Sequence, residues 1–532
     1  QDETVYSVAV DPTKITSANA ATLATDLDST PTKMRARYDP GAKQPVHLLT
    51  ITQAAYATAR SDFIALQSAG VIQVTEIVGR VYPFGSDAAA VTGYVNAVQD
   101  SDLLQDASHY YESTDTKGRE GIEAWAETTL RPVKGGELDI IDTTSGEPAF
   151  TIARRSPAAG ADVRTTISAQ LQQAAVTQIG KETKAGSAVA LDPASGEVLV
   201  LASSPMYNPN DFSIGFSDNE SVRFNALLPQ SPYLDRAVAG QYPIGSLMKV
   251  TSLAAALENG IGADHVFDCT GSFLIPGQAH PSIDDSPHGH GDITEVTGLA
   301  ESCDVVFWTI GVTLNSQNPN LLPNMAKTFG YGSLTHIVGL PDGTEQPGLV
   351  PDAAWLKQFN GGDWAPVDAA NLAIGQGFFT ATPLQIAVVS GAVANGGTRW
   401  QPRLVTSIVG PDGAAIATYA ATALGKLAVS SDHLAVMQAA MVDVTTMPGA
   451  TSYGTWNGFP ALVAAKTGTA QTSTPIPDAL YMCYSPASPL SGPPVKAKIA
   501  ASAVVEYSGF GDAFAQPVTR AILTAYLAPS GS

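Results

Sequence analysis

The stretch YPIGSLMKVTSLAAALENG, residues 242–260, sets Ser246 and Lys249 three positions apart at the entrance to an apolar, helix-like run. Residues three apart on a helix share a face, so the lysine amine can approach the serine hydroxyl. A serine hydroxyl is a weak nucleophile until a base takes its proton. A lysine whose pKa is lowered by burial or by a neighbouring cation can be that base. A helix N-terminus at the serine also puts a positive dipole end where an oxyanion would develop. An arbitrary Ser-x-x-Lys is usually an exposed lysine on an amphipathic face. This one is unique in the chain, and Ile244, Leu247 and Met248 around it are apolar.

Two further stretches carry reactive groups. Lys466-Thr467-Gly468-Thr469 follows the strand-like ALVAA. Its lysine and threonines are expected on a strand edge that can hold an extended peptide and its carboxylate, with Gly468 leaving room for the ligand's backbone, although taken alone the stretch reads first as a turn. Ser302-Cys303-Asp304 lies in LAESCDVVFW, which reads as a buried helix able to aim side chains into a cleft.

The elements that must position these groups come from a chain of 532 residues, 44% hydrophobic, enough for at least two cores. With a formal net charge of −21 and only 28 Lys and Arg, it lacks the basic surface that nucleic acid or an anionic membrane requires. No run of 18 apolar residues occurs, and the first residues, QDETVYSVAV, read as neither signal peptide nor anchor. Up to about residue 160, strand-like VYSVAV and VHLLTI alternate with helical QAAYATARSDFIALQSAG, an α+β module ending near RRSPAAGADV. Beyond it, GSAVALDPASGEVLVLASS reads as two strands around a turn, AKIAASAVVEYS as a late strand and QPVTRAILTAYL as a helix. Strands at both ends with helices between predict a sheet whose early and late strands pair. Cys269, Cys303 and Cys483 match no zinc or redox spacing and are expected to be small, buried, apolar side chains.

Ser-x-x-Lys, a Ser-Asp-Asn-type motif and Lys-Thr-Gly recur together in penicillin-binding proteins and class A β-lactamases, and here the trio stands in that order. The chain resembles the class B penicillin-binding proteins over nearly its whole length. RVYPFGSDAAAVTGYV (80–95) and GREGIEAWAETTLRPVKGG (118–136) look like the family's pedestal. LDPASGEVLVLASSPMYNPNDF, RAVAGQYPIGSLMK, IGQGFFTATPLQ (374–385), VANGG (393–397) and KTGTAQ look like its transpeptidase domain. The pedestal version is most similar to the low-affinity branch whose members carry an extra preceding domain, so the chain is expected to begin partway into a longer, membrane-anchored polypeptide.

The resemblance implies an α+β fold: a pedestal (dimerisation-type) domain over residues 1–160 and a transpeptidase domain over 161–532, an antiparallel sheet flanked by helices. It implies a D,D-transpeptidase that cross-links peptidoglycan stem peptides through a serine acyl-enzyme and is acylated by β-lactams. Such an enzyme works on the extracytoplasmic face of the bacterial membrane, beside a glycosyltransferase partner, with no nucleic acid, metal or cofactor. By the same resemblance Ser246 is the nucleophile, Lys249 its base and Ser302 a proton relay. Lys466 and Thr467 shape the electrostatics of the cleft, and Thr467 with Thr469 holds the donor carboxylate across Gly468. The backbone N–H groups of Ser246 and Thr469 form the oxyanion hole.

One position departs from that pattern: Asp304 stands where the family has asparagine. A carboxylate accepts hydrogen bonds but cannot donate one to a substrate amide carbonyl. It also favours the charged form of Lys249 and opposes its role as base. Three readings compete: Lys466 offsets the charge; the motif is tuned against β-lactams; or the true middle motif is elsewhere, at Ser17/Asn19, Ser217/Asn219 or Ser316/Asn318. We favour the second. Rival functions are a D,D-carboxypeptidase or β-lactamase, and a non-catalytic cell-wall synthesis scaffold. His288 and His290 read as loop residues without a third metal ligand, and Asp284 and Asp285 as solvated carboxylates.

Overall fold

The computed structural model describes residues 1–182, 185–491 and 493–527. Packing divides the chain into two compact units. Gln1–Leu130 and Pro205–Tyr233 form one compact unit, and Arg131–Ser204 with Leu234–Ser532 form the other.

In the first unit β1 (Asp2–Val10) is the central strand of an antiparallel sheet, between β2 (Val46–Thr52) and β3 (Ile72–Arg80). Val8 and Val10 of β1 pack with Leu23 of α1 (Ser17–Asp26), Ile51 of β2 and Phe63. Thr16 caps α1 by accepting the N–H of Asn19. The segment 205–233 belongs here because Met206 and Tyr207 pack on Ala89 and Ala90, and because Asn210 bonds both backbone groups of Tyr82 at 2.9 Å. Glu123 ties two of the pedestal-like stretches together: it accepts from Arg80 at 2.7 Å and 2.9 Å and from the Tyr82 hydroxyl at 3.1 Å.

The second unit is built on a five-stranded sheet. Two early strands, β4 (Gly186–Leu191) and β5 (Val198–Ser204), join three late ones: β6 (Ala464–Ala470), β7 (Asp478–Ser485) and β8 (Ile499–Val505). The order is β5-β4-β8-β7-β6, antiparallel throughout, so early and late strands do pair, with Ala188 opposite Ala503. Almost every residue of these strands is buried. Helices cover both faces: Leu171, Ile179, Val518 and Ile522 pack on one, and on the other Pro383–Ala394 bonds to the strands through Ser390 Oγ to Cys483 O and Ser502 Oγ to Pro383 O. A strand buried on both faces has no polar side to alternate with, hence the continuous small and apolar runs in its sequence. Among the described residues no helix is long and apolar enough to cross a membrane.

Candidate active site

Ser246 sits in a short 3-10 turn, Gly245–Met248, that feeds α2 (Lys249–Glu258). Every residue of α2 except Glu258 is buried, as expected of a helix apolar all round. The turn lies against edge strand β6. Gly245 has φ +53°, and a Cβ there would meet Thr469 O at 2.5 Å and Gly375 would similarly strike Gly245 O at 2.3 Å. These glycines let three backbone segments meet beside the serine. Gly245, next to Ser246, is thereby packed on the backbone of Thr469, the residue expected to complete the oxyanion hole.

Gly468 departs from its expected role. A Cβ on it would come within 2.9 Å of Ile244 O and Leu247 Cγ, so the room it leaves is filled by the protein's own turn rather than by a ligand.

The middle motif is not inside one continuous helix. α3 (Glu295–Glu301) ends at Ser302, which adopts φ +62°, and α4 (Asp304–Gln317) starts after Cys303. A left-handed backbone at a serine carries a small strain that glycine would avoid. In exchange it turns both the carbonyl and the hydroxyl of Ser302 toward the lysines. Lys249 Nζ donates to Ser302 O at 2.6 Å and to Ser302 Oγ at 3.2 Å, and Lys466 Nζ donates to the same Oγ at 2.9 Å. Both lysines are fully buried. Lys466 also donates to Thr467 O at 3.1 Å, and the Thr467 hydroxyl donates to Thr451 Oγ1 at 2.9 Å. Thr467 and Thr469, two apart on β6, share a face.

Asp304 forms an ion pair with Lys249, Oδ1 to Nζ 2.6 Å, and its side chain is 18% exposed. Its charge is therefore countered directly by Lys249, while Lys466 bonds Ser302. Burial first, then the Lys249 cation, hold the Lys466 pKa well below the ordinary lysine value, against an opposite pull from Asp304 and Asp285. Among the described residues Ser246 Oγ makes no hydrogen bond. The amine expected to activate it is engaged by Ser302 and Asp304.

Three expectations about neighbouring residues need correction. Asp284 is not solvated: it is 4% exposed, and its Oδ2 accepts the N–H groups of Asp304 at 2.6 Å and Val305 at 3.2 Å, capping α4 from a loop 20 residues upstream. Asp285 does stay at the surface. Cys269 and Cys303 are joined in a disulfide, and only Cys483 is a free, buried thiol. His290 is not isolated, since its Nδ1 lies 3.3 Å from Cys269 Sγ and Cys303 is nearby. Disulfide sulfurs are not thiolate ligands, so the trio offers no metal set in this form. Odd cysteine number and a separation of 34 residues hid the pairing. Of the alternative serines, Ser217 caps the helix Asp218–Leu227 and Ser316 bonds Thr313 O at an exposed position; neither joins the lysines.

Residues 186–488 match the model of the penicillin-binding protein transpeptidase domain, and residues 1–165 that of the penicillin-binding protein dimerisation domain. The peptidoglycan D,D-transpeptidase MrdA of Acinetobacter baumannii is 31% identical over 412 residues, 76% of this chain, and the chain covers 58% of that protein's length. The structure of the Helicobacter pylori penicillin-binding protein PBP2 in complex with MreC superposes with a TM-score of 0.75 at 23% identity, covering 99% of this chain and 96% of that one. The penicillin G acyl-enzyme of Mycobacterium tuberculosis penicillin-binding protein A gives 0.63 at 25% identity, covering 85% and 94%. With both domain models matched in order, and the transpeptidase match alone spanning more than half of the residues, the chain belongs to the class B penicillin-binding proteins.

Proposed function

We propose that the chain is a peptidoglycan D,D-transpeptidase acting through an acyl-enzyme on Ser246. What carries this reading is the convergence of two fully buried lysines on Ser302 Oγ, next to a serine turn packed on the Lys-Thr-Gly-Thr strand. Ser246 Oγ attacks the carbonyl of the penultimate D-Ala and passes its proton to Lys249. Ser302 Oγ lies between the two amines and relays a proton to the departing D-Ala nitrogen as the C–N bond breaks. Lys466, whose proton affinity is lowered by burial, restores the proton balance at Ser302. The N–H groups of Ser246 and Thr469 receive the oxyanion. Thr467 and Thr469 receive the terminal carboxylate. A stem-peptide amine then takes the acyl group from Ser246.

In this reading Lys249 must leave its ion pair as the neutral amine, its extra proton passing to the Asp304 carboxylate, before it can take the Ser246 proton. The same ion pair favours a second reading, a catalytically silent scaffold, because it occupies the amine that would have to take the Ser246 proton. Benzylpenicillin distinguishes the two. A transpeptidase gives one adduct by intact mass, peptide mapping places it on Ser246, and Ser246→Ala gives none. A scaffold gives no adduct in either protein, and rapid turnover of a chromogenic cephalosporin would indicate a β-lactamase. The disulfide fits an oxidising, extracytoplasmic setting. An MreC-like protein is the partner one solved relative suggests, and a membrane glycosyltransferase fits another, solved in a peptidoglycan synthase complex that couples polymerisation to crosslinking.

A further inference from the structure

We propose that the first unit carries a binding site for an organic cation, a primary ammonium or guanidinium on an alkyl stem, independent of the transpeptidase reading. The site is a cavity of about 190 Å³ between the end of α1, strand β2 and the segment 208–220. Four carboxylates line it: Asp26, Asp28, Asp211 and Glu220. Two of them are satisfied from within. Asp28 accepts from Ser217 at 3.0 Å, Asn219 at 2.9 Å and Arg223 at 2.7 Å. Glu220 accepts the N–H of Ser217 at 2.7 Å.

The other two carboxylates are not. Asp211 is only 7% exposed, yet its side chain makes no hydrogen bond or ion pair among the described residues. Asp26 Oδ2 is likewise buried without a partner. Buried carboxylates are normally paired, because leaving one unpaired in a low-dielectric site costs several kcal/mol. Arg223 acts on Asp211 only through space: its guanidinium is bonded to Asp28, and its side chain is 62% exposed. The cavity therefore lacks positive charge at the carboxylates that need it.

Shape and donor arrangement select the kind of cation. Among the described residues, no three of these carboxylates bring oxygens within 4.8 Å of one another, so they do not form an ion cage. They sit on separate elements around a space larger than one ion, which suits a head group with several N–H donors. Leu27, Leu49, Ile51 and Ile214 supply an apolar wall along which methylene groups can lie. Burial, then the Glu220 charge, push the Asp211 carboxyl up to about 7, so an arriving cation meets a group poised to ionise.

The test uses the full 532-residue chain with n-butylammonium and n-butylguanidinium as probes, followed by calorimetry and by ligand-observed NMR. Saturable binding of at least one probe is expected, with a rise in Tm. Asp211→Asn should weaken that binding about tenfold or more while folding with an unchanged or higher Tm, since it removes an uncompensated buried acid. Asp26→Asn should also weaken it. Benzylpenicillin labelling should be unchanged in both variants, which keeps this site's fate separate from that of Ser246. The proposal is overturned if neither probe binds up to about 50 mM, if binding survives both substitutions, or if calcium stabilises the protein while both organic cations do not.

Discussion

Replacing Asp304 by asparagine should speed acylation of Ser246 by benzylpenicillin about tenfold. The Lys249–Asp304 contact of 2.6 Å joins a fully buried ammonium to a carboxylate 18% exposed. At an effective dielectric of about 20 the gross attraction is about 6 kcal/mol, most of it offset by desolvation of the two ions. The net worth of a hydrogen bond to a charged group is about 1.5–3 kcal/mol. Asparagine keeps an acceptor oxygen for the Lys249 ammonium but carries no charge of its own, so the substitution moves the contact from the top of that range to the bottom, a loss of about 1.5 kcal/mol. At 1.36 kcal/mol per decade this is roughly tenfold in rate; losing the whole bond would set a ceiling near 150-fold. The new N–H₂ group also offers the β-lactam side-chain carbonyl a donor that the carboxylate lacks. Second-order labelling rates with a fluorescent penicillin, at matched pH and with Tm confirming the fold, measure the effect. Equal or slower labelling of Asp304→Asn would refute the idea that this carboxylate restrains acylation.

Two stability predictions rest on other buried groups. Glu295 is fully buried with neither carboxylate oxygen hydrogen-bonded among the described residues, and burial raises its pKa from 4.5 to about 8. The folded state therefore keeps a proton that the unfolded chain loses, so stability falls as pH rises from about 4.5 to 8, by about 3 kcal/mol at pH 7 and about 4 by pH 8. Glu295→Gln should remove that slope; parallel denaturation curves of the two proteins across this window would contradict it. Breaking the Cys269–Cys303 disulfide by a double serine substitution frees a loop spanning 34 residues and should cost about 3–4 kcal/mol by loop entropy. A change in urea midpoint corresponding to under about 1 kcal/mol would contradict that.

What could be read from the sequence, and what could not, divides along the distance over which each contact acts. Ser246 with Lys249, and Lys466 with Thr467 and Thr469, are set by one helical turn or one strand period, and those spacings survive in the linear text. The two-faced burial of the central sheet is equally local, because it shows as unbroken runs of small apolar residues. The partner of Lys249 is not local. Spacing points it at Ser246, three residues away, yet it bonds Ser302, 53 residues on, and Asp304 beside it. That choice depends on a left-handed Ser302 ending α3, on Asp284 capping α4 and on the disulfide at Cys303, each fixed by a segment outside the motif. Gly468 shows the same limit: its missing side chain is required by Ile244, more than two hundred residues earlier in the chain, and no pattern around Lys-Thr-Gly could say whether a ligand or the protein fills the space. The return of residues 205–233 to the first unit is a further case, since Tyr207 finds its partner Glu120 across 87 residues with no compositional break to mark it. Motif spacing thus names the reactive groups, while their charge partners are chosen by tertiary packing. Asp304 is where the two meet: one letter of sequence whose effect depends on which lysine it touches, and the structure places it on the lysine expected to be the base.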